Sequence, residues 1–172
     1  MLKKLNFFKK KQVEKYTQDV EDLQQSAEEL CNELLSGKLA HLNIQNYRYN
    51  SAEAVSELGL DQEMVETLVN DYVAQIIKAI LQFDEYMEKL QDSKDKEIAL
   101  DYTLFRELAH KNLGVARNLR IKDAEVLLYE LMKKDDLDYL LTCLEALKVC
   151  AVRLRPQCAY DTIKLIHVKN SL

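Results

Sequence analysis

Three glycines, one proline and no tryptophan stand among 172 residues. The scarcity of glycine and proline leaves few places where tight turns could punctuate a sheet. No segment alternates apolar and polar residues between turn signals, as a half-buried strand does. No period of 20–50 residues repeats, which excludes a solenoid. No apolar run approaches the roughly 20 residues that span a bilayer, and the N-terminus lacks the apolar stretch and small-residue cleavage site of a secretory signal. A cytoplasmic protein is expected. Catalytic vocabulary is thin as well: there are three histidines, no GxSxG and no Cys/His pairing. Cys31, Cys143, Cys150 and Cys158 form neither a CxxC pair nor a paired metal-ligand spacing. They read as reduced core thiols.

What is present is charge and helical periodicity. Hydrophobic residues make up 48% and charged residues 31% of the chain, the balance of a globular protein able to bury a core. Residues 1–15 hold Lys3, Lys4, Lys9, Lys10, Lys11 and Lys15 against Glu14 alone, a balance of +5; with the whole chain at −5, the remainder carries −10. An acidic body excludes nucleic acid as the main partner, because phosphate backbones are gripped by clustered Lys and Arg. The first eleven residues mix Leu2, Leu5, Phe7 and Phe8 with lysines, a composition suited to weak contact with an anionic membrane surface or to a frayed soluble end.

Spacings of three and four predict a first helix over 12–36, with Val13, Tyr16, Val20, Leu23, Ala27, Leu30 and Leu34 on one stripe and Gly37 as its stop. The stripe could pack on the rest of the chain or pair two copies into a homodimer. Residues 38–50 read as a polar, irregular connector, so residues 1–46 form a basic segment and helical extension and 47–172 the main domain. Ser51 is expected to cap a short helix ending at Gly59. Asp61 caps the longest helix, about 62–91, followed by a turn at Asp92–Lys96. Helices are predicted over about 97–119, 123–134 and 136–154, the last ended by Arg155-Pro156. A short final helix holds Tyr160, Ile163 and Ile166.

The helix near residue 110 carries the only candidate chemistry. On a 100° wheel, Phe105, Leu108, Asn112, Val115, Ala116 and Leu119 share one side, while Thr103, Arg106, His110, Gly114 and Arg117 share the other. His110 therefore faces solvent. Gly114 lies one turn beyond it, where glycine costs about 1 kcal/mol of helix propensity relative to alanine. Either a crossing helix packs against Gly114, or the missing side chain lets another protein approach the imidazole.

The string Leu108-Ala109-His110-Lys111-Asn112-Leu113-Gly114-Val115-Ala116-Arg117-Asn118-Leu119 resembles the phosphoacceptor helix of histidine phosphotransfer (HPt) domains, His-x-Leu-Lys-Gly followed by small residues. Upstream, Ala54-x-x-Glu57-Leu58-Gly59-Leu60-Asp61 with Val65 through Gln75 is similar to the lead-in of these domains. The likeness spans about 47–155. It implies an all-α fold, an antiparallel four-helix HPt-like bundle with an extra N-terminal helix. It also implies His110 as phosphoacceptor in a two-component phosphorelay, exchanging a phosphoryl group with the aspartate of a response-regulator receiver domain or accepting one from a histidine kinase. Imidazole is a competent nucleophile near neutral pH without a buried base. The receiver would supply Mg²⁺ and an acidic pocket, so this chain needs no cofactor or metal of its own and acts as a phosphoryl carrier rather than a turnover enzyme.

Two positions depart from the family pattern. Its leucine two residues after the histidine is Asn112 here, turned toward the core on the wheel. Its lysine three residues after is Leu113, expected near the rim of the His110 face. The lost lysine removes a cation beside a phosphoryl group of charge about −2, for which Arg106, Lys111 and Arg117 are the substitutes in reach. With Leu113 and Gly114 they make up the expected docking and phosphoryl-support surface. The alternative is a degenerate adaptor that binds a receiver or another signalling protein without transfer. A third class, a di-metal helical-bundle enzyme, is suggested by Glu107-x-x-His110, but neither His41 nor His167 has a glutamate three residues before it.

Overall fold

Capping chemistry sets the boundaries of the helices in the computed structural model, which describes the backbone of residues 2–171 and the side chains of residues 12–171. Among the described residues there are seven α-helices and no strand: α1 (Leu2–Ser36), α2 (Ala52–Leu58), α3 (Gln62–Asp95), α4 (Thr103–Asn118), α5 (Lys122–Lys133), α6 (Leu137–Leu154) and α7 (Pro156–Asn170), with one 3₁₀ turn at Ala40–Leu42. The protein is all-α, and no helix among these residues is long and apolar enough to cross a membrane. The expected surface contact of residues 1–11 lies outside the described side chains.

Asp61 caps α3 as expected, its carboxylate accepting from the Met64 amide at 2.8 Å. Gly59 ends α2 at φ 64°, the left-handed turn that glycine adopts freely. Ser51, by contrast, does not cap α2. Its backbone is already helical, its hydroxyl accepts from Gln62, and the Ala52 amide turns to Asn50 Oδ1 at 2.9 Å. The expected turn at Asp92–Lys96 is the last turn of α3, because Gln91–Asp95 and Asp92–Lys96 contacts one turn apart hold it helical. The following helix starts at Thr103 rather than 97: Glu97 is left-handed at φ 56°, and Asp101 gathers the Thr103 amide at 3.0 Å and its hydroxyl at 2.6 Å. The final helix runs fifteen residues, longer than expected.

Packing follows from the apolar stripes. Helix α3 touches α4 and α6, α4 touches α5, and α5 touches α6, closing a ring of four, while α1 lies on α6 and α7, and α7 on α3 and α6. Tyr72, Ile76 and Phe83 of α3, Phe105 of α4, Leu127 and Leu131 of α5, and Leu140 and Leu147 of α6 are fully buried together. The same core takes in Cys31, Leu35 and Leu39 from the N-terminal extension. The α1 stripe is thus covered, from Leu23 onward, by its own bundle, while Val13 stays exposed.

The connector 38–50 is more than a polar loop. Leu39 and Ile44 are buried, and two tyrosines clasp the α4–α5 junction. Tyr49 donates to the Leu119 carbonyl at 2.9 Å and Tyr47 to the Arg120 carbonyl at 3.0 Å. Burial pushes the Tyr47 phenol up to about 12, so it remains a donor.

Candidate functional site

Helix α4 is held at both ends, which fixes the orientation of everything between. Its start rests on Asp101, whose carboxyl lies below the usual value because the Thr103 hydroxyl and amide donate to it. Its end is a Schellman arrangement: the Ile121 amide donates to the Ala116 carbonyl at 3.0 Å and the Arg120 amide to the Arg117 carbonyl at 3.1 Å, with Arg120 left-handed at φ 60°. On the inward side, Phe105, Ala109 and Ala116 are buried, Phe105 meeting Phe83 of α3 edge-on at 5.1 Å.

Asn112 sits at the centre of this inward side, 1% exposed. Its amide donates to the Leu108 carbonyl at 2.9 Å and its oxygen accepts from Gln75 Nε2 of α3 at 3.0 Å. A buried amide without such partners would cost about 1–3 kcal/mol; Gln75 is the compensating residue that the sequence pattern did not single out. Leu113 is corrected in its placement. It is 2% exposed, part of the core rather than the rim of the His110 face, because the α4–α5 contact covers that flank, and it offers no surface to a partner.

His110 projects from the middle of α4 into solvent, and its ring has no hydrogen-bond partner among the described residues. Around Gly114 the surface is open: a Cβ built there meets nothing within 4 Å. No crossing helix accounts for the glycine, so the packing explanation drops out. Arg106 and Arg117 lie one turn before and two turns after His110, Arg106 leaning toward the connection between α5 and α6 and Arg117 toward α5. Arg106 pairs with Asp135 while stacking 4.6 Å over the Tyr102 ring, and Arg117 pairs with Glu125 at 3.0 Å. Both arginines stay 40% and 52% exposed, and exposed pairs of this kind are worth about 0–1 kcal/mol, so either guanidinium can be drawn away by a stronger anion. Lys111 is exposed and makes no ion pair among the described residues.

The other histidines are differently placed. His41 Nε2 lies 3.0 Å from the Tyr139 hydroxyl, which itself donates to Glu130 at 2.6 Å; this is a structural tie between the connector and the bundle. His167 is exposed near the end of α7. Glu107 and His110 both face solvent, whereas a carboxylate-bridged metal pair must face the bundle interior. Among the described residues no cluster of three or more His, Cys, Asp or Glu is arranged to hold a metal. The cavity of about 220 Å³ between the end of α3 and the start of α4 is lined by Tyr86, Leu90, Asp101 and Leu104 among others, and His110 is not part of it.

Compared with protein-family models, curated proteins and solved structures, the chain has no match.

Proposed function

We propose that this chain is a histidine phosphotransfer protein of a two-component phosphorelay, in which His110 takes a phosphoryl group from a receiver-domain aspartyl phosphate and passes it on. The observation that carries it is the clearing around His110: an unpartnered, exposed imidazole at mid-helix, one turn from a glycine beside which there is open space. On this account α3, α4, α5 and α6 are the four-helix bundle of the family and α1 is an addition to it; the ring of contacts among those four helices supports the assignment. Arg106, Lys111 and Arg117 stand in for the absent lysine. A charge of about −2 on the phosphorylated ring attracts the arginines more strongly than their exposed carboxylate partners do. Mg²⁺ and the acidic pocket belong to the receiver. The cytoplasm is the proposed location, in keeping with helices none of which, among the described residues, is long and apolar enough to cross a membrane.

A second reading, an adaptor that docks a receiver without transfer, is favoured by two observations: both arginines are engaged with Asp135 and Glu125 in the free protein, and Leu113 is buried where the family places a cation. The two are separated by offering the protein a panel of receiver domains charged with labelled acetyl phosphate. Transfer predicts acid-labile, base-stable label on the wild type and none on His110→Gln. Stable binding of a charged receiver with no label on the wild type would select the adaptor.

A further inference from the structure

Cys31 of α1 and Cys150 of α6 meet in the core with their sulfurs 3.8 Å apart. They are the one cysteine pair in contact among the described residues; Cys143 is buried without a cysteine neighbour and Cys158 donates to the Asn70 carbonyl. The pair sits beside Arg153, whose side chain is 7% exposed, paired with the equally buried Asp123 at 3.3 Å, and whose Nη1 has no hydrogen-bond partner. A cavity of about 180 Å³ leads in from the exposed Glu28–Arg48 pair and is lined at its inner end by Asp123, Cys150 and Arg153. A water molecule takes up about 30 Å³ of liquid, so a small hydroperoxide fits this cavity.

We propose that Cys31 and Cys150 form a reversible oxidation site, at which a hydroperoxide entering the cavity converts the two thiols into a disulfide joining α1 to α6. The contact with Cys31 and burial hold the Cys150 thiol above its ordinary value, while the Arg153 guanidinium beside it favours the thiolate. Cys150, which lines the cavity, is the sulfur the peroxide meets, and Cys31, 3.8 Å from it, is the resolving thiol. The Cys150 sulfur attacks the distal peroxide oxygen as its proton passes to the departing oxygen. The S–O bond forms, the O–O bond breaks, and the departing oxygen leaves as water or an alcohol with the Cys150 proton. The Cys31 sulfur then attacks the Cys150 sulfenic acid, the S–S bond forms, and the sulfenic oxygen leaves as water with the Cys31 proton. Two thiols are oxidised and one peroxide is reduced. Closing the sulfurs from 3.8 Å to about 2.05 Å requires the two side chains to turn toward each other.

The test uses the reduced full-length protein, hydrogen peroxide and peptide mapping after alkylation. The expected product is a linked Cys31–Cys150 peptide, reversed by dithiothreitol and formed faster in the native protein than in the same chain unfolded in guanidinium chloride. It forms equally well in Cys143→Ser/Cys158→Ser, whose replaced positions lie outside the pair. In Cys31→Ser, verified as folded by circular dichroism, the Cys150 sulfenic acid is trapped by dimedone. The proposal is overturned if both thiols stay reduced in the native wild type while Cys158 reacts, if the linkage involves Cys143 or Cys158, or if unfolding does not slow it.

Discussion

Replacing Gly114 separates helix stability from the proposed docking at α4, because the fold favours a side chain there and the proposed partner favours none. Gly114 lies within the helix, four residues short of its end, and a Cβ at that position meets nothing within 4 Å. Gly114→Ala therefore introduces no clash and removes the backbone-entropy cost of an interior helical glycine, about 1 kcal/mol. For a chain of this length that raises Tm by roughly 2–4 °C. The same methyl group stands one turn from His110, where, under the proposed phosphotransfer, a docked receiver would bring its aspartyl phosphate within bonding distance. Phosphotransfer from a charged receiver is expected to slow in Gly114→Ala and to fall further in Gly114→Gln, which adds bulk without charge, while both variants melt no lower than the wild type. Thermal denaturation by circular dichroism and single-turnover label transfer read the two effects on the same samples. A variant that melts lower would show that the glycine serves intrachain packing. A Gly114→Gln protein that melts higher and transfers at the wild-type rate would refute the access argument.

Three further outcomes test other parts of the structure. Asn112→Ala leaves the Gln75 amide without its acceptor and is expected to cost about 1–3 kcal/mol in urea unfolding, with Gln75→Leu added to it recovering part of the loss; full stability of the single variant would contradict the buried hydrogen bonds. Asp123→Ala strands Arg153 in the core and is expected to cost about 3–5 kcal/mol, whereas Asp123→Leu combined with Arg153→Met is expected to be near neutral. Asp101, with its folded-state carboxyl below the ordinary value, stabilises the start of α4 above the unfolded carboxylate range and loses that contribution as pH falls through the folded value. Amides 106–109, the first with helical hydrogen bonds, should therefore gain exchange, measured against the intrinsic rate, on acidification below about pH 4, and Asp101→Asn should remove that pH dependence.

The features legible in the sequence were those set by one helix at a time. The wheel placed His110 outward and Asn112 inward because both properties depend only on residues of α4, and Asp61 was readable as a cap because it acts on an amide three residues away. What failed depended on neighbours. Leu113 lies only 60° around the wheel from His110, and the contact of α4 with α5 decides that this flank is covered; the Asp135 and Glu125 partners of the arginines come from the same side. Tyr47 and Tyr49 were passed over within a polar stretch, although two aromatic residues beside a predicted helix junction are a usable signal for buried hydroxyl donors. The charged composition of the Asp92–Lys96 cluster predicts a turn, and the contacts one turn apart that make it helical outweigh that composition.

The most direct measurement of the central claim is localisation of phosphate on the protein after exposure to a charged receiver. The account predicts a phosphoramidate on the His110 ring, cleaved by acid, retained in base, absent from His110→Gln and weakened when Arg106 and Arg117 are both replaced by glutamine. Stoichiometric receiver binding with no phosphoramidate on the wild-type protein, or label that persists in His110→Gln, would contradict it.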